Sequence, residues 1–364
     1  MKIKSLMTVM VAVLSCFSLT ACKSNDVAET YSWSGTVSAP QEYPMEIYRG
    51  AIIAEGFTYG FDAIWGTQNT GWGNHGGTMT TAIEKKRVPY QLEFTWYSLV
   101  ERTFYTGNWA LDKDQIKRLL DEGFIDQDTR KKDTYNTFVV GLAPQGRVVL
   151  WLSGAGNQKE VGVFQAQATT MTKESAYSNA QYMFKDGYAD RMLNDPSYKT
   201  FSPQIRQKIQ AQGYPAPQTY SVYREKYSWR PVVVLQEGEW LDFAFSAYNG
   251  EQENIFAKAL LDNRYEQRAI PKFCGFYWRN GTSRYGVWID AFDEKEIFDL
   301  FQKLGTQKDI DLLVKVDAQN TRVSLALRAG LQEFPIGKAK VRLSGKIDQA
   351  PPADGRATLG GSAH

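Results

Sequence analysis

Val88-Pro89-Tyr-Gln-Leu92-Glu93-Phe94-Thr95-Trp96 and Ile270-Pro271-Lys-Phe-Cys274-Gly-Phe276-Tyr-Trp278 are two versions of one stretch. Each opens with a branched residue and proline and alternates apolar with other residues up to Phe-x-Trp. In the first copy Leu92, Phe94 and Trp96 alternate with Glu93 and Thr95, the period of a half-buried strand. Downstream, Ala110-Leu111-Asp112-Lys113 with Ile116 and Leu119 lines up with Ala291-Phe292-Asp293-Glu294 with Ile297 and Leu300. Phe138-Val139-Val140 matches Leu312-Leu313-Val314, Arg147-Val148-x-Leu150-x-Leu152 matches Arg322-Val323-x-Leu325-x-Leu327, and Val161-Gly162 matches Ile336-Gly337. Five blocks in one order, with small shifts, read as an internal duplication.

The local signals inside each copy agree. Glu46 to Ile53 and Phe57 to Trp65 are rich in aromatic and β-branched residues and read as strands. Asp112 caps a short amphipathic helix with Ile116, Leu119 and Leu120 on one face, closed by Gly123; Asp293 to Gly305 repeats the device. A three-stranded meander follows in each copy, its turns marked in the first by Pro144-Gln145-Gly146 and Gly154-Ala155-Gly156-Asn157. The expectation is an α+β protein of two related lobes, 41–168 and 226–345. Each is a mainly antiparallel sheet with one short helix. Residues 169–225 form a helical connector, with Ser202-Pro203 opening one of its helices.

At the amino terminus, Lys2 and Lys4 precede an apolar run, Leu6 to Leu19, too short to span a bilayer as a mature helix. Leu19-Thr20-Ala21-Cys22 resembles the lipobox of bacterial lipoproteins. That resemblance implies removal of a signal peptide, 1–21, and lipidation at Cys22. Multiple acyl chains anchor stably in a membrane, and Lys23 favours the outer membrane, periplasmic face. Residues 22–40 read as a polar tether and 346–364 as a disordered tail.

The chain carries 42 Lys and Arg against 40 Asp and Glu. Without Lys2 and Lys4 these balance, which gives no electrostatic reason to expect nucleic acid. With Cys16 in the signal and Cys22 carrying lipid, Cys274 is alone, so no intrachain disulfide is expected. Only two histidines are present, His75 and His364, too few for a histidine-rich metal centre. Ser153-Gly154-Ala155-Gly156 is a turn rather than a nucleophile elbow, because the serine precedes the glycines. Acids such as Glu93, Glu101 and Asp112 are available for carboxylate chemistry but read as strand and cap residues. No catalytic residue, metal or cofactor is assigned.

Phe94-Thr-Trp96-Tyr-Ser98-Leu-Val-Glu101-Arg-Thr-Phe104-Tyr105, Gly141-Leu-Ala-Pro-Gln-Gly146-Arg-Val-Val-Leu-Trp151-Leu-Ser153-Gly154 and Glu160-Val-Gly162 together resemble a family of proteobacterial lipoproteins known only as a domain of unknown function. Tyr223-Arg224-x-Lys226-Tyr227-x-Trp229-Arg230-Pro231 and Phe245-x-x-Tyr248-Asn249-Gly250-Glu251 fit its longer members. The chain is also similar to two-lobed lipoproteins that act as immunity proteins against phospholipase toxins of type VI secretion. The resemblance implies a periplasm-facing binding protein, not an enzyme, whose partner is a secreted phospholipase toxin. The alternative is a glycan- or envelope-binding lipoprotein.

Segments that differ between related lobes are better sites for binding than segments that match. Two stand out: the glycine-rich run from Trp65 to Gly77, whose backbone can approach a partner closely, and Ser98 to Trp109. Trp65, Trp72, His75, Glu101 and Tyr105 are therefore the expected partner-binding set, as aromatic and charged interface anchors.

Overall fold

The structure, a computed structural model, describes residues 29–347. The expected signal peptide, the expected lipidation at Cys22 and the part of the expected tail beyond residue 347 lie outside the described residues. Of the described residues, 46% are in strands and 20% in helices, an α+β protein dominated by sheet.

In the first half, the strands are β1 (Ser34–Ser38), β2 (Met45–Ala54), β3 (Phe57–Asp62), β4 (Pro89–Ser98) and β5 (Thr103–Ala110). After helix α1 (Lys113–Glu122) come β6 (Thr137–Ala143), β7 (Arg147–Gly154), β8 (Asn157–Gln165) and β9 (Gln167–Thr169). The second half runs β10 (Lys226–Val234), β11 (Glu239–Ala247), β12 (Gln252–Phe256), β13 (Glu266–Ala269), β14 (Pro271–Asn280) and β15 (Ser283–Ala291). A helix (Glu294–Leu304), β16 (Ile310–Val316), β17 (Val323–Ala329), β18 (Gln332–Ile336) and β19 (Lys340–Ile347) complete it.

Both halves share one strand order. The first has a sheet β9-β5-β4-β2-β3 and a second layer β1-β6-β7-β8; the second has β19-β15-β14-β11-β12 and β10-β16-β17-β18, with β13 added beside β10. Within each, one pair is parallel, β1 with β6 and β10 with β16. Trp96 and Trp278 hold matching places, opposite Tyr105 and Tyr285, and both are fully buried. Asp112 and Asp293 cap their helices by accepting from the backbone N–H three residues on, and Gly123 and Gly305 close them. Ile116 and Leu120 on α1, and Ile297 and Phe301 on its counterpart, are buried in the core of their own half.

The two halves are not separate sheets. β8 pairs with β12, so the second layer of the first half and the first sheet of the second half form one nine-stranded sheet. The connector contains Tyr188–Asn194, α2 (Pro203–Gln212) and a single turn α3 (Thr219–Val222). Its Ser202 side chain accepts from Ile205 N–H at the proline-led start, as its sequence implies.

Two boundaries differ from expectation. The tether was expected through residue 40, yet β1 is a buried strand beginning at Ser34. Its Ser-Gly-Thr-Val-Ser sequence has linker composition, but the small side chains are what the site admits. A Cβ on Gly35 would lie 2.8 Å from the Phe61 ring, and the hydroxyls of Thr36 and Ser38 donate to the carbonyls of Gly77 and Gly71. The strand is closed into the fold by side-chain bonds that local propensity does not register. At the other end, residues 346 and 347 belong to β19 rather than to the expected tail.

Trp96→Ala and Trp278→Ala each empty a fully buried site and should each cost about 3–5 kcal/mol of unfolding free energy in denaturant titrations.

Candidate functional site

Of the expected partner-binding residues, Trp72 and Tyr105 are buried, Trp65 and Glu101 are half-buried, and His75 is exposed. Trp65 packs on Phe61 with ring centroids 4.8 Å apart. Trp72 is 9% exposed, edge-on to Trp151 at 4.9 Å and 5.3 Å from Tyr220 of α3. Tyr105, also 9% exposed, lies 5.6 Å from Trp96 and donates to Glu101 Oε1 at 3.2 Å; burial first and then Glu101 push its hydroxyl up to about 12. Glu101 Oε1 also accepts from Gln145 N–H at 2.8 Å. His75 Nε2 is hydrogen-bonded to Ser153 Oγ at 2.9 Å, and desolvation of its ring holds its pKa below the ordinary value, with the Gln158 side chain pulling the other way. Trp72 and Tyr105 thus spend most of their surface, and Glu101 its Oε1, on contacts within the chain. A glycine loop can also serve its own chain.

That is what the loop does. Gly73 (φ +80°) and Gly250 (φ +91°) meet backbone to backbone: a Cβ on Gly73 would lie 2.5 Å from Gly250 Cα. Gln158 Nε2, fully buried on β8, donates to the carbonyls of Gly73 at 2.8 Å and Gly250 at 2.6 Å. Around this clasp, Arg224 makes a two-pronged pair with Glu160 at 2.8 Å, Lys226 pairs with Glu251 at 2.8 Å, and Arg268 with Glu253 at 2.8 Å. Burial raises the pKa of Glu251 and Glu253, but the bonds and charges of Lys226, Arg268 and Lys159 outweigh it, and both carboxyls are held below the ordinary value. Lys159 is desolvated too, yet Glu253 and Glu251 keep its pKa raised.

The open site lies elsewhere, on the outer face of the first sheet. A cleft of about 710 Å³ runs over β2, β4 and β5. Pairing register lays its floor out in rows. One row crosses the sheet as Gln167, Thr106, Thr95, Arg49 and Asp62; the next is Asn108, Glu93, Ala51 and Gly60. These are the positions that alternate with Leu92, Phe94 and Trp96, which face the core. Thr95 and Thr106 hydroxyls bond to each other at 2.8 Å. Gln91 and Asn108 amides donate to Glu93 Oε1 at 2.6 and 3.0 Å, and Arg49 Nη1 donates to the Tyr177 hydroxyl at 3.2 Å. Beyond Arg49 the face is covered by the connector, where Tyr48, Phe104, Ala176, Ala180 and Met183 form a small apolar cluster. Tyr182 and Tyr188 donate to the buried Glu46 there, at 2.8 Å each, and burial pushes that carboxyl up against those bonds.

Nothing in the cleft forms a nucleophile and base pair. Among the described residues no group of three or more His, Cys, Asp or Glu is placed to hold a metal ion. The Cys274 thiol is buried, which pushes its pKa well up and keeps it unreactive. Among the described residues no helix is long and apolar enough to cross a membrane.

Fold and cleft define a two-lobed, sheet-dominated protein with a polar groove on its first lobe. The chain belongs to the family described as "Protein of unknown function (DUF2931)", whose sequence model matches residues 20–216, the first lobe and most of the connector. No curated protein and no solved structure matches it.

The clasp should weaken in acid. Glu251 and Glu253 have folded pKa values below 4.5, so their contribution is full above 4.5 and is lost as pH falls through the folded values. His75, lowered from 6.5, opposes folding as the unfolded state takes up protons below 6.5. Urea midpoints measured from pH 8 to 4 should therefore fall in two stages, and His75→Gln should remove the first. Gly73→Ala should split thermal unfolding into two transitions at neutral pH, seen by calorimetry.

Proposed function

We propose that this chain is a lipid-anchored, periplasm-facing protein that binds and neutralises a secreted phospholipase toxin without performing a reaction of its own. The observation that carries the reading is the groove on the outer face of the first lobe. It is open, built on a rigid sheet, and flanked by groups suited to interface anchoring: Arg49, Trp109, and Tyr177 with 52% of its surface exposed. Its side chains are hydrogen-bonded to one another in an arrangement that positions and binds, with no histidine among them. Toxin identity and delivery by type VI secretion rest on the sequence resemblance. Its polar floor also suits hydroxylated ligands, which is what supports the second reading, envelope glycan binding.

The shared strand order supports a further part of the proposal, that the chain arose by duplication of one lobe. The family match ends at residue 216, before the second lobe begins. The first copy then keeps the ligand groove while the second serves as a buttress.

Two experiments test this. Cys22→Ala should abolish incorporation of labelled palmitate; unchanged labelling ends the lipoprotein reading. Ala51→Trp places a ring in the middle of the groove floor without touching the core. It should weaken capture of a lipase encoded beside this gene by at least tenfold and remove protection of cells, with thermal stability retained. Full protection by this variant moves the site elsewhere, and a wild-type chain that does not bind the lipase refutes the toxin reading.

A further inference from the structure

We infer that the groove recognises an extended peptide segment carrying an acidic and a basic side chain two residues apart, with Arg49 taking the acid and Glu93 the base. This names the ligand chemistry of the site proposed above and rests on that groove being the binding seat.

The inference comes from two opposite charges that do not neutralise each other. Arg49 and Glu93 stand on the same face of the sheet in neighbouring rows, Arg49 opposite Thr95 and Glu93 opposite Ala51. Diagonal neighbours on a sheet face are about 7–8 Å apart between backbones, within reach of long side chains. An Arg and a Glu so placed would ordinarily close into an ion pair, yet none forms between them. Each is held away by neutral partners. The guanidinium is turned to the Tyr177 hydroxyl, a neutral acceptor that uses one of its five donors. Asp62, directly across from Arg49, is spent on the backbone N–H of Ile64 at 2.9 Å, where it caps a short turn. Gln91 and Asn108 both donate to Oε1 of Glu93, and Oε2 has no donor among the described residues. Gln91 donates to Asn108 Oδ1 as well, at 2.9 Å, which locks the amide pair. The groove thus presents a positive end beside the connector and a negative end away from it, both pre-positioned.

The spacing then specifies the ligand. Rows on one face are two residues apart along the strand, about 6.6–6.8 Å at 3.3–3.4 Å per residue. An extended polypeptide laid along the strands carries side chains on one side with the same repeat. Thr106 and Gln167 extend the Arg49 row with hydroxyl and amide groups, and these can bond to the segment's backbone, while the buried Thr95 holds the Thr106 hydroxyl in place. A polypeptide supplies both signs of charge at this spacing, whereas an acidic saccharide supplies one. That difference favours a peptide.

The test uses the full-length chain in detergent and four blocked nonapeptides of threonine and serine. These carry Glu-x-Lys, Glu-x-Gln, Gln-x-Lys or Gln-x-Gln at the centre, and trigalacturonate serves as a saccharide probe. By calorimetric titration, Glu-x-Lys should bind at least tenfold more tightly than Gln-x-Gln. Arg49→Gln should erase the advantage conferred by Glu alone, Glu93→Gln the advantage conferred by Lys alone, and Ala51→Trp should abolish binding of all four. Equal binding of the four peptides overturns the inference, as do discriminations that survive both substitutions. Trigalacturonate binding more tightly than any peptide overturns the peptide assignment. If the peptides discriminate as expected but the neighbouring lipase is not captured, the ligand chemistry stands and the toxin reading falls. If the lipase is captured equally by wild type, Arg49→Gln and Glu93→Gln, the capture reading stands and this inference falls.

Discussion

Gln158 ties the two halves of the molecule together. One amide nitrogen, buried on β8, donates to carbonyls from both halves, Gly73 on the long loop of the first and Gly250 on the hairpin of the second. Only glycine on both sides lets the two backbones come that close, and both glycines take positive φ, which a side chain would strain. Because the ladder between β8 and β12 has a single residue pair in register, Gln158 with Gln252, the sheet would otherwise barely cross from one half to the other. The amide, the glycine contact, the surrounding ion pairs and the aromatic run Trp151, Trp72, Tyr220, Tyr223 and Tyr248 turn a weak seam into a rigid one.

The seam joins unlike edges, the outer strand of one layer with the outer strand of the other. A contact of that kind leaves its complementary edges at the far ends, and repeated copies could in principle extend it into a filament. Here those edges are β3 and β18. β18 carries Pro335, which has no N–H to offer a neighbouring strand. That proline restrains edge-to-edge growth at β18.

Corresponding faces of the two lobes differ in chemistry. Where the first has Thr95 and Thr106 in an open polar floor, the second has Tyr277 and Gly286, with Trp288 edge-on to Tyr277 at 5.5 Å and Arg342 5.0 Å from the indole. The position of Arg49 is taken by Asp242, buried and accepting from Tyr277 N–H at 2.9 Å, with Arg130 of the first lobe lying over the nearby Phe256. The second face is thus partly used up by packing against the first lobe, and the first face is left available.

Repeated apolar spacing was enough to read the strands around Trp96 and Trp278, both capped helices and the turn chemistry. Those features are local: a strand period, an aspartate three residues before a free N–H, a glycine at a helix end. The polar members of the groove were equally present in sequence as the residues alternating with Leu92, Phe94 and Trp96, but alternation says only that they face away from the core. Whether that face is covered by the connector or left open depends on where residues 169–225 pack. The setting of Trp72 was illegible for the same reason, since an aromatic in a glycine loop looks alike whether it meets a foreign protein or, as here, Trp151 and Tyr220 of its own chain. The sequence by itself determined the strands around Trp96 and Trp278 and both capped helices, because those follow from neighbours along the chain. Only the tertiary structure decided which loop became a clasp, that residues 34–38 form a buried strand, and which face stayed open, because each depends on contacts between residues far apart in sequence.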